Sequence, residues 1–204
     1  MLVTDRHGTL GRPLPLLVKA ALAGGVEAVQ VREKELDTCQ LLELAQELKV
    51  ICQAAGATIL INDRVDVALA MEADGVQLTR NSYSARQARR LLGRQKLIGV
   101  STHSLDEARE AEKEGADYLL FGPVFDTPSK RAYGEPQGAE KLAQVANAMA
   151  IPVFAIGGIK EANLGQVMEA GAWGIALISG ILQQKEVEGA SRRLRERISL
   201  YLSR

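Results

Sequence analysis

Residues that could bind an anionic ligand alternate along the segment VQVREK, residues 29–34. If the segment is extended, Gln30, Arg32 and Lys34 share one face, because side chains two positions apart point to the same side of a strand. Ion pairs with neighbouring glutamates are the alternative, but an inward strand position is a poor place for an unpaired cation. We therefore interpret the converging amide, guanidinium and ammonium as a binding site for an anionic substrate.

Two further segments carry groups suited to binding or proton transfer. Asn62 and Asp63 follow the apolar run TILI and could cap the next helix, contact a ligand, or do both. His103, in GVSTHS, is one of two histidines in the chain, and imidazole titrates in the range that proton transfer needs. A lone histidine is often only a loop or capping residue, so both interpretations of His103 stay open.

The longest irregular segment is FGPVFDTPSKRAYGEPQG, residues 121–138. It contains Thr127, Ser129 and Lys130, a hydroxyl-rich turn that ends in a cation and is typical of an anion clamp. A long loop of this kind is also a plausible lid. As a bare pattern, TxSK has little specificity.

Glycines follow two later apolar runs, in IGGI and ISGI, and glycine lets a phosphate approach backbone N–H groups closely. In an eight-stranded barrel these runs would be strands seven and eight, whose loops commonly form a phosphate site. The predicted phosphate-binding residues are Gly157, Gly158, Ile178, Ser179 and Gly180.

The elements that must position these residues are short apolar runs alternating with helical patterns, in which apolar residues recur every three or four positions. The runs lie at 2–5, 28–33, 58–62, 74–78, 96–100, 117–122, 152–157 and 173–179. Alternating strand and helix imply a parallel sheet, and eight such units predict an α/β fold, a compact single-domain (β/α)8 TIM barrel over residues 1–204. A doubly wound open sheet is the alternative. In the barrel, active sites lie at the C-terminal ends of the strands.

The composition narrows the class of protein. Lys plus Arg equals Asp plus Glu at 25 each, which argues against nucleic-acid binding. The start of the chain, MLVTDRHG, has neither the apolar run of a signal peptide nor the length of a membrane span, so we expect a cytoplasmic protein that does not bind membranes. The Arg-rich segment SRRLRERI predicts a final helix that is either free surface or an interface in a homo-oligomer.

Together these segments resemble the family of thiamine phosphate synthase and its TenI branch, the thiazole tautomerases. The motifs VQVREK, INDRVDVALAMEADGV, IGVSTHSLDEA, GADYLLFGPVFDTPSK, IPVFAIGGI and EAGAWGIALIS occur in family order. The resemblance implies a barrel whose small-molecule substrate, a thiazole phosphate, binds at the strand-seven and strand-eight loops. In the synthase it also implies Mg²⁺ at Asp63 and a second Asp. The residues it assigns to an aminopyrimidine pyrophosphate are Gln30, Arg32, Lys34, Asn62, Thr127, Ser129 and Lys130.

The sequence departs from that pattern where the second Asp belongs. The family stretch of the type DGVHLGQxD reads DGVQLTRNS here, with Gln77 for the His and Ser82 for the Asp. A neutral hydroxyl is a poor ligand for a hard cation, so the substitution favours the TenI branch. We therefore predict a thiazole tautomerase without a cofactor, in which His103 transfers the proton and Arg32 or Lys34 binds the thiazole carboxylate.

Three functions stay open. Some TenI proteins resemble FGHVF after strand six and use that histidine, whereas this chain has Pro123, as the synthases do. A Mg²⁺-dependent thiamine phosphate synthase is therefore the first alternative. A non-catalytic or regulatory protein that binds a phosphate ligand is the second.

Overall fold

Eight parallel strands, each paired with the next along the chain, form the centre of the computed structural model, which describes residues 1–127 and 135–203. The strands are β1 (Leu2–Val3), β2 (Ala28–Val31), β3 (Thr58–Asn62), β4 (Gly75–Leu78), β5 (Leu97–Thr102), β6 (Tyr118–Phe121), β7 (Val153–Ile156) and β8 (Gly174–Ala176). The N–H of Val3 donates to the Leu177 carbonyl at 2.9 Å, and that of Leu177 to Met1 at 3.1 Å, which joins β8 to β1. The predicted (β/α)8 barrel is confirmed.

Helices follow the strands and cover the barrel. A short 3₁₀ helix (Arg6–Thr9) precedes α1 (Leu14–Ala23), and the others are α2 (Thr38–Ala54), α3 (Val65–Ala70), α4 (Ala85–Leu92), α5 (Leu105–Lys113), α6 (Gly138–Ala148), α7 (Leu164–Glu169), α8 (Ser179–Leu182) and α9 (Val187–Leu202). Asp37 and Ser84 begin α2 and α4 with capping boxes, in which the N-cap side chain and the N3 glutamine exchange hydrogen bonds with each other's backbone. No helix within the described residues is both long and apolar enough to span a bilayer.

Strands buried on both faces explain the apolar runs in the sequence. Outward residues such as Val29 and Ile59 pack against the helices in the main core. A smaller apolar cluster of Val3, Leu120 and Ala176 fills the barrel interior. This interior cluster leaves the polar inward residues nearer the C-terminal ends of β2 to β5 to form the site.

Strand β2 ends at Val31, two residues earlier than predicted. Arg32 and Lys34 therefore lie in the loop after β2, while Gln30 is inside the strand. Gln30 lies on the predicted inward face of the strand. Arg32 and Lys34 lie beyond the strand, at the rim of the barrel. Glu33, between them, is buried.

Candidate active site

A chain of side-chain hydrogen bonds crosses the C-terminal ends of β2 and β3. Gln30, only 2% exposed, donates from Nε2 to Oδ1 of Asn62 at 2.8 Å. Asn62 then donates from Nδ2 to Oδ2 of Asp63 at 2.7 Å. The structure thus brings Gln30 together with Asn62 and Asp63, which the sequence analysis selected in a different segment. Oε1 of Gln30 is buried and has no hydrogen-bond partner among the described residues, so this oxygen is an unused acceptor in the barrel interior.

The loop after β2 is held by a buried polar cluster. The backbone N–H of Arg32 donates to the Thr4 hydroxyl at 2.9 Å, and the N–H of Arg6 donates to Oε2 of Glu33 at 3.0 Å. Burial raises the pKa of the Glu33 carboxyl above its usual range, and the contacts with Thr4 and Arg6 offset part of that shift. Thr4 and Glu33 were not selected from the sequence, although a glutamate between two rim cations was a usable signal.

The side chains of Arg32 and Lys34 form no ion pair within residues 1–127 and 135–203. The neighbouring Glu35 instead pairs with Arg6, at 2.6 Å. Arg32 is half-buried and Lys34 is exposed. The alternative of glutamate-paired cations is therefore wrong for the described part of the chain, and two positive charges remain available to an anionic ligand at the rim.

His103 lies just beyond β5, at the same end of the barrel. Its Nδ1 is hydrogen-bonded to the carbonyl oxygen of Gly122, and its backbone N–H donates to the Glu107 carboxylate at 2.7 Å. Because a carbonyl oxygen can only accept, Nδ1 carries the ring proton, and Nε2 of the neutral imidazole is left as an acceptor. His103 is exposed, so it is placed to exchange protons but is not enclosed by the barrel.

The loops after β6 and β7 are joined by backbone hydrogen bonds. Val124 N–H donates to the Ile156 carbonyl at 2.9 Å, and Phe125 N–H to the Gly157 carbonyl at 3.0 Å. Thr127 follows this segment, whereas Ser129 and Lys130 lie outside the described residues. Of the three residues of the predicted anion clamp, the structure therefore gives a position for Thr127.

The predicted phosphate residues form two adjacent turns. Gly157 and Gly158 have φ values of +99° and +64°, and a Cβ on Gly158 would lie 2.6 Å from the carbonyl oxygen of Asp126. Only glycine fits so close an approach at such a φ. A Cβ on Gly180 would lie 3.6 Å from the Ile159 carbonyl oxygen, which brings the loop after β8 against the loop after β7.

Residues Ile178, Ser179 and Gly180 contribute the start of α8. Ile178 is the residue before the helix, and its carbonyl accepts from Ile181 N–H at 3.1 Å. Ser179 and Gly180 are the first two helical residues. Their backbone N–H groups have no carbonyl in a preceding helical turn, which leaves donors at the position where a phosphate was expected.

Inward residues of β4 to β6 line the floor between these groups. Gln77 donates from Nε2 to the Ser101 hydroxyl at 3.1 Å. Gln77 Oε1 and the Tyr118 hydroxyl lie 2.4 and 2.3 Å from where a Gly99 Cβ would be, and neither has a hydrogen-bond partner in the described part of the chain. Tyr118 was not selected from the sequence, because the alternation within DYLLFG does not reveal which face is inward.

A family profile described as thiamine monophosphate synthase matches residues 1–181. The chain belongs to this family. A protein of Geobacter sulfurreducens, named provisionally as a thiamine-phosphate synthase, is 51% identical over 193 residues, covering 95% of this chain and 91% of that protein. The thiamine-phosphate synthase of Moorella thermoacetica is 47% identical over 96% of this chain and 93% of its own length.

The fold is also similar to a solved structure of the family. The thiamine phosphate pyrophosphorylase from Pyrococcus furiosus superimposes with a TM-score of 0.91 at 38% identity, over 98% of this chain and 95% of that one. Membership of the thiamine monophosphate synthase family indicates an enzyme of thiamine biosynthesis. These relatives carry the names of the synthase reaction, so they give no support to the predicted TenI branch.

Mg²⁺ binding, which the resemblance implies for synthases of the family, would involve Asp63, so the contacts of its carboxylate decide whether the residues present fit this ion. Oδ1 of Asp63 accepts from the backbone N–H of Thr79 at 3.1 Å, from the Thr79 hydroxyl at 2.7 Å and from the Ser82 hydroxyl. Oδ2 accepts from Asn62. Within the described residues no group of three or more His, Cys, Asp or Glu could hold a metal ion. One carboxylate surrounded by donors does not fit a preformed Mg²⁺ site.

Proposed function

We propose that the chain is a thiamine phosphate synthase, which joins an aminopyrimidine pyrophosphate to a thiazole phosphate and releases pyrophosphate. The observation that carries the proposal is the pair of rim cations, Arg32 and Lys34, without ion-pair partners in the described structure, above the Gln30–Asn62 hydrogen bond. The synthase names of relatives up to 51% identical agree with it. This is the first alternative of the sequence analysis, and it takes precedence here over the tautomerase.

In the proposed reaction, a thiazole ring nitrogen forms a bond to the methylene carbon of the aminopyrimidine while the bond from that carbon to the pyrophosphate oxygen breaks. Negative charge grows on the leaving oxygen. Arg32 and Lys34 would stabilise that charge, because preorganised cations act most strongly where charge develops in the transition state. Thr127, Ser129 and Lys130 stay predicted contributors to the same pyrophosphate group.

The thiazole phosphate would bind at the opposite side of the mouth. The phosphate is proposed to contact the backbone N–H groups of Gly157, Gly158, Ser179 and Gly180, beside Ile178. Donors fixed in the backbone hold a substrate without losing side-chain entropy, so they orient the ring for attack. The two anionic groups then lie on different loops, which keeps their charges apart.

A tautomerase is the second candidate, because Nε2 of His103 is left as a proton acceptor at the rim. Such an enzyme would aromatise a carboxylated thiazole phosphate by moving one proton, with no leaving group. Arg32 or Lys34 would then bind the carboxylate. A non-catalytic phosphate-binding or regulatory protein is the third candidate, since the two glycine turns alone would be enough to bind a phosphate.

One assay separates these candidates. Purified protein is mixed with aminopyrimidine pyrophosphate, aromatic thiazole phosphate and Mg²⁺, and thiamine phosphate is measured by fluorescence. Sustained product formation supports the synthase. No product, but proton exchange on the carboxylated thiazole phosphate that disappears in His103→Gln, would support the tautomerase. Thiazole phosphate binding with neither reaction would support the non-catalytic binder.

The cytoplasmic location and a homo-oligomeric state stay predictions. In the structure, two arginines of α9 pair with glutamates outside that helix: Arg193 with Glu161 at 3.0 Å and Arg195 with Glu27 at 2.7 Å. These pairs show one use of the Arg-rich helix, as a contact with its own barrel. Sedimentation of the purified protein would test the oligomeric state.

A further inference from the structure

Four hydrogen bonds reach the carboxylate of Asp63, three of them at Oδ1 and one at Oδ2. A carboxylate offers about four lone-pair positions. Here Thr79 contributes two donors, Ser82 a third and Asn62 a fourth. A cation that contacts Oδ1, the oxygen facing the loop after β4, must displace at least one of its three donors.

Asp63 also joins two loops through its backbone. Its N–H donates to the Gln77 carbonyl at 2.9 Å, and its own carbonyl accepts from Val65 N–H at 3.1 Å. Its φ of +60° lies in the left-handed region, which Asp tolerates better than most residues. The side chain is therefore turned toward the loop after β4, and both the backbone and the carboxylate of Asp63 connect the end of β3 to the end of β4.

Ser82 determines the chemistry of this connection. Its hydroxyl donates to Asp63 and also accepts from the Thr79 N–H at 2.8 Å. A carboxylate at position 82 would instead face the carboxylate of Asp63 at hydrogen-bond range. Two carboxylates that close repel each other unless a proton or a cation lies between them. A serine hydroxyl and a bridging cation are thus alternative ways to link the same two loops.

We propose that the Ser82–Asp63 hydrogen bond takes the place of a cation between the loops after β3 and β4, so that the substrate-free protein has no divalent-cation site there. The link is a property of the apoprotein and does not depend on which reaction the enzyme catalyses. A synthase reaction that needs Mg²⁺ could still take it up together with the pyrophosphate of the substrate.

The test compares wild type, Ser82→Asp and Ser82→Ala without substrates. Binding of Mn²⁺ is followed by the loss of its free electron-paramagnetic-resonance signal. Ser82→Asp should bind Mn²⁺ at least about tenfold more tightly than wild type, since affinity in oxygen-ligand sites rises with the number of charged ligands. Ser82→Ala removes the donor without adding a charge, so it should show no such gain.

A second readout uses the melting temperature in EDTA and in Mg²⁺. Wild type and Ser82→Ala should melt at the same temperature in both, whereas Ser82→Asp should melt several degrees lower in EDTA and recover in Mg²⁺. A wild type that binds Mn²⁺ as tightly as Ser82→Asp, or that is stabilised by Mg²⁺ at this site, overturns the proposal. So does a Ser82→Asp protein that folds but gains no Mn²⁺ affinity. None of these outcomes depends on product formation, which tests the synthase separately.

Discussion

Truncation of Asn62 should destabilise the protein far more than truncation of an asparagine that water can reach. Asn62→Ala removes the 2.8 Å bond from Gln30 and the 2.7 Å bond to Asp63. Two hydrogen bonds contribute about 2 kcal/mol net, and leaving the buried Gln30 amide N–H without an acceptor costs about 1–3 kcal/mol more. The expected loss in the free energy of unfolding is therefore about 3–5 kcal/mol, or about 10 °C in melting temperature.

Asn163→Ala is the matched control. Asn163 also makes two hydrogen bonds, accepting from Lys160 N–H at 2.7 Å and donating to the Gly158 carbonyl at 3.0 Å. Because Asn163 is only half-buried, water can replace its contacts, and the expected loss is about 1 kcal/mol. Urea unfolding followed by circular dichroism gives both values, with an unchanged m-value as the check that one transition is compared.

An Asn62→Ala protein that lost no more stability than Asn163→Ala would contradict this expectation. That result would mean that Gln30 finds another acceptor when Asn62 is absent. It would also mean that the hydrogen bonds from Gln30 through Asn62 to Asp63 do not fix the position of the Gln30 amide in the barrel.

Three further changes have definite expected outcomes. Gly158→Ala places a Cβ 2.6 Å from the Asp126 carbonyl oxygen at a φ of +64°, so calorimetry should show a loss of about 1–3 kcal/mol in the free energy of unfolding. Gly189→Ala is the control: a Cβ there would lie 3.5 Å from its nearest neighbour, the Arg193 side chain, so the substitution should cost nothing. Equal losses in the two variants would contradict the expected strain at Gly158. Burial raises the pKa of Glu33, so the contribution of Glu33 to wild-type stability should fall as pH rises from 4.5 through that raised pKa. Glu33→Gln lacks this component, so its stability relative to wild type should be greater at about pH 7 than at pH 4.5, and a pH-independent difference in urea unfolding would count against it. For His103→Gln, the synthase proposal expects thiamine phosphate formation within about threefold of wild type, since no step uses its ring as an acid or base, whereas a loss of about a hundredfold would indicate general acid–base catalysis.

The barrel could be predicted because its signals are local. Alternating strand and helix patterns located all eight strands, and Gln30 lay on the predicted inward face because the period of two continues to the end of β2. The period of two does not extend beyond Val31, where the strand ends, and it did not predict that Glu33 is buried. A strand pattern carries no information about how the loop that follows it turns.

The Asp63–Ser82 link could not be predicted for a related reason. Nineteen positions separate the two residues, and their contact depends on the left-handed backbone of Asp63 and on the turn at Thr79. The sequence showed that Ser82 was not an Asp, which argued against a metal ligand. It did not show that the hydroxyl donates to Asp63, because that requires the relative positions of two loops.

Arg32 and Lys34 are proposed to bind the pyrophosphate of the substrate at the rim of the barrel. The most direct measurement is the steady-state rate of thiamine phosphate formation for wild type, Arg32→Ala and Lys34→Ala, with each substrate varied in turn. We expect kcat/KM for the aminopyrimidine pyrophosphate to fall at least about tenfold in each variant, since a charge-assisted contact contributes about 1.5–3 kcal/mol, while the KM for the thiazole phosphate stays within about twofold. Unchanged kcat/KM for the pyrophosphate substrate, or a KM for the thiazole phosphate that rises as much as the KM for the pyrophosphate substrate, would contradict the proposed contact.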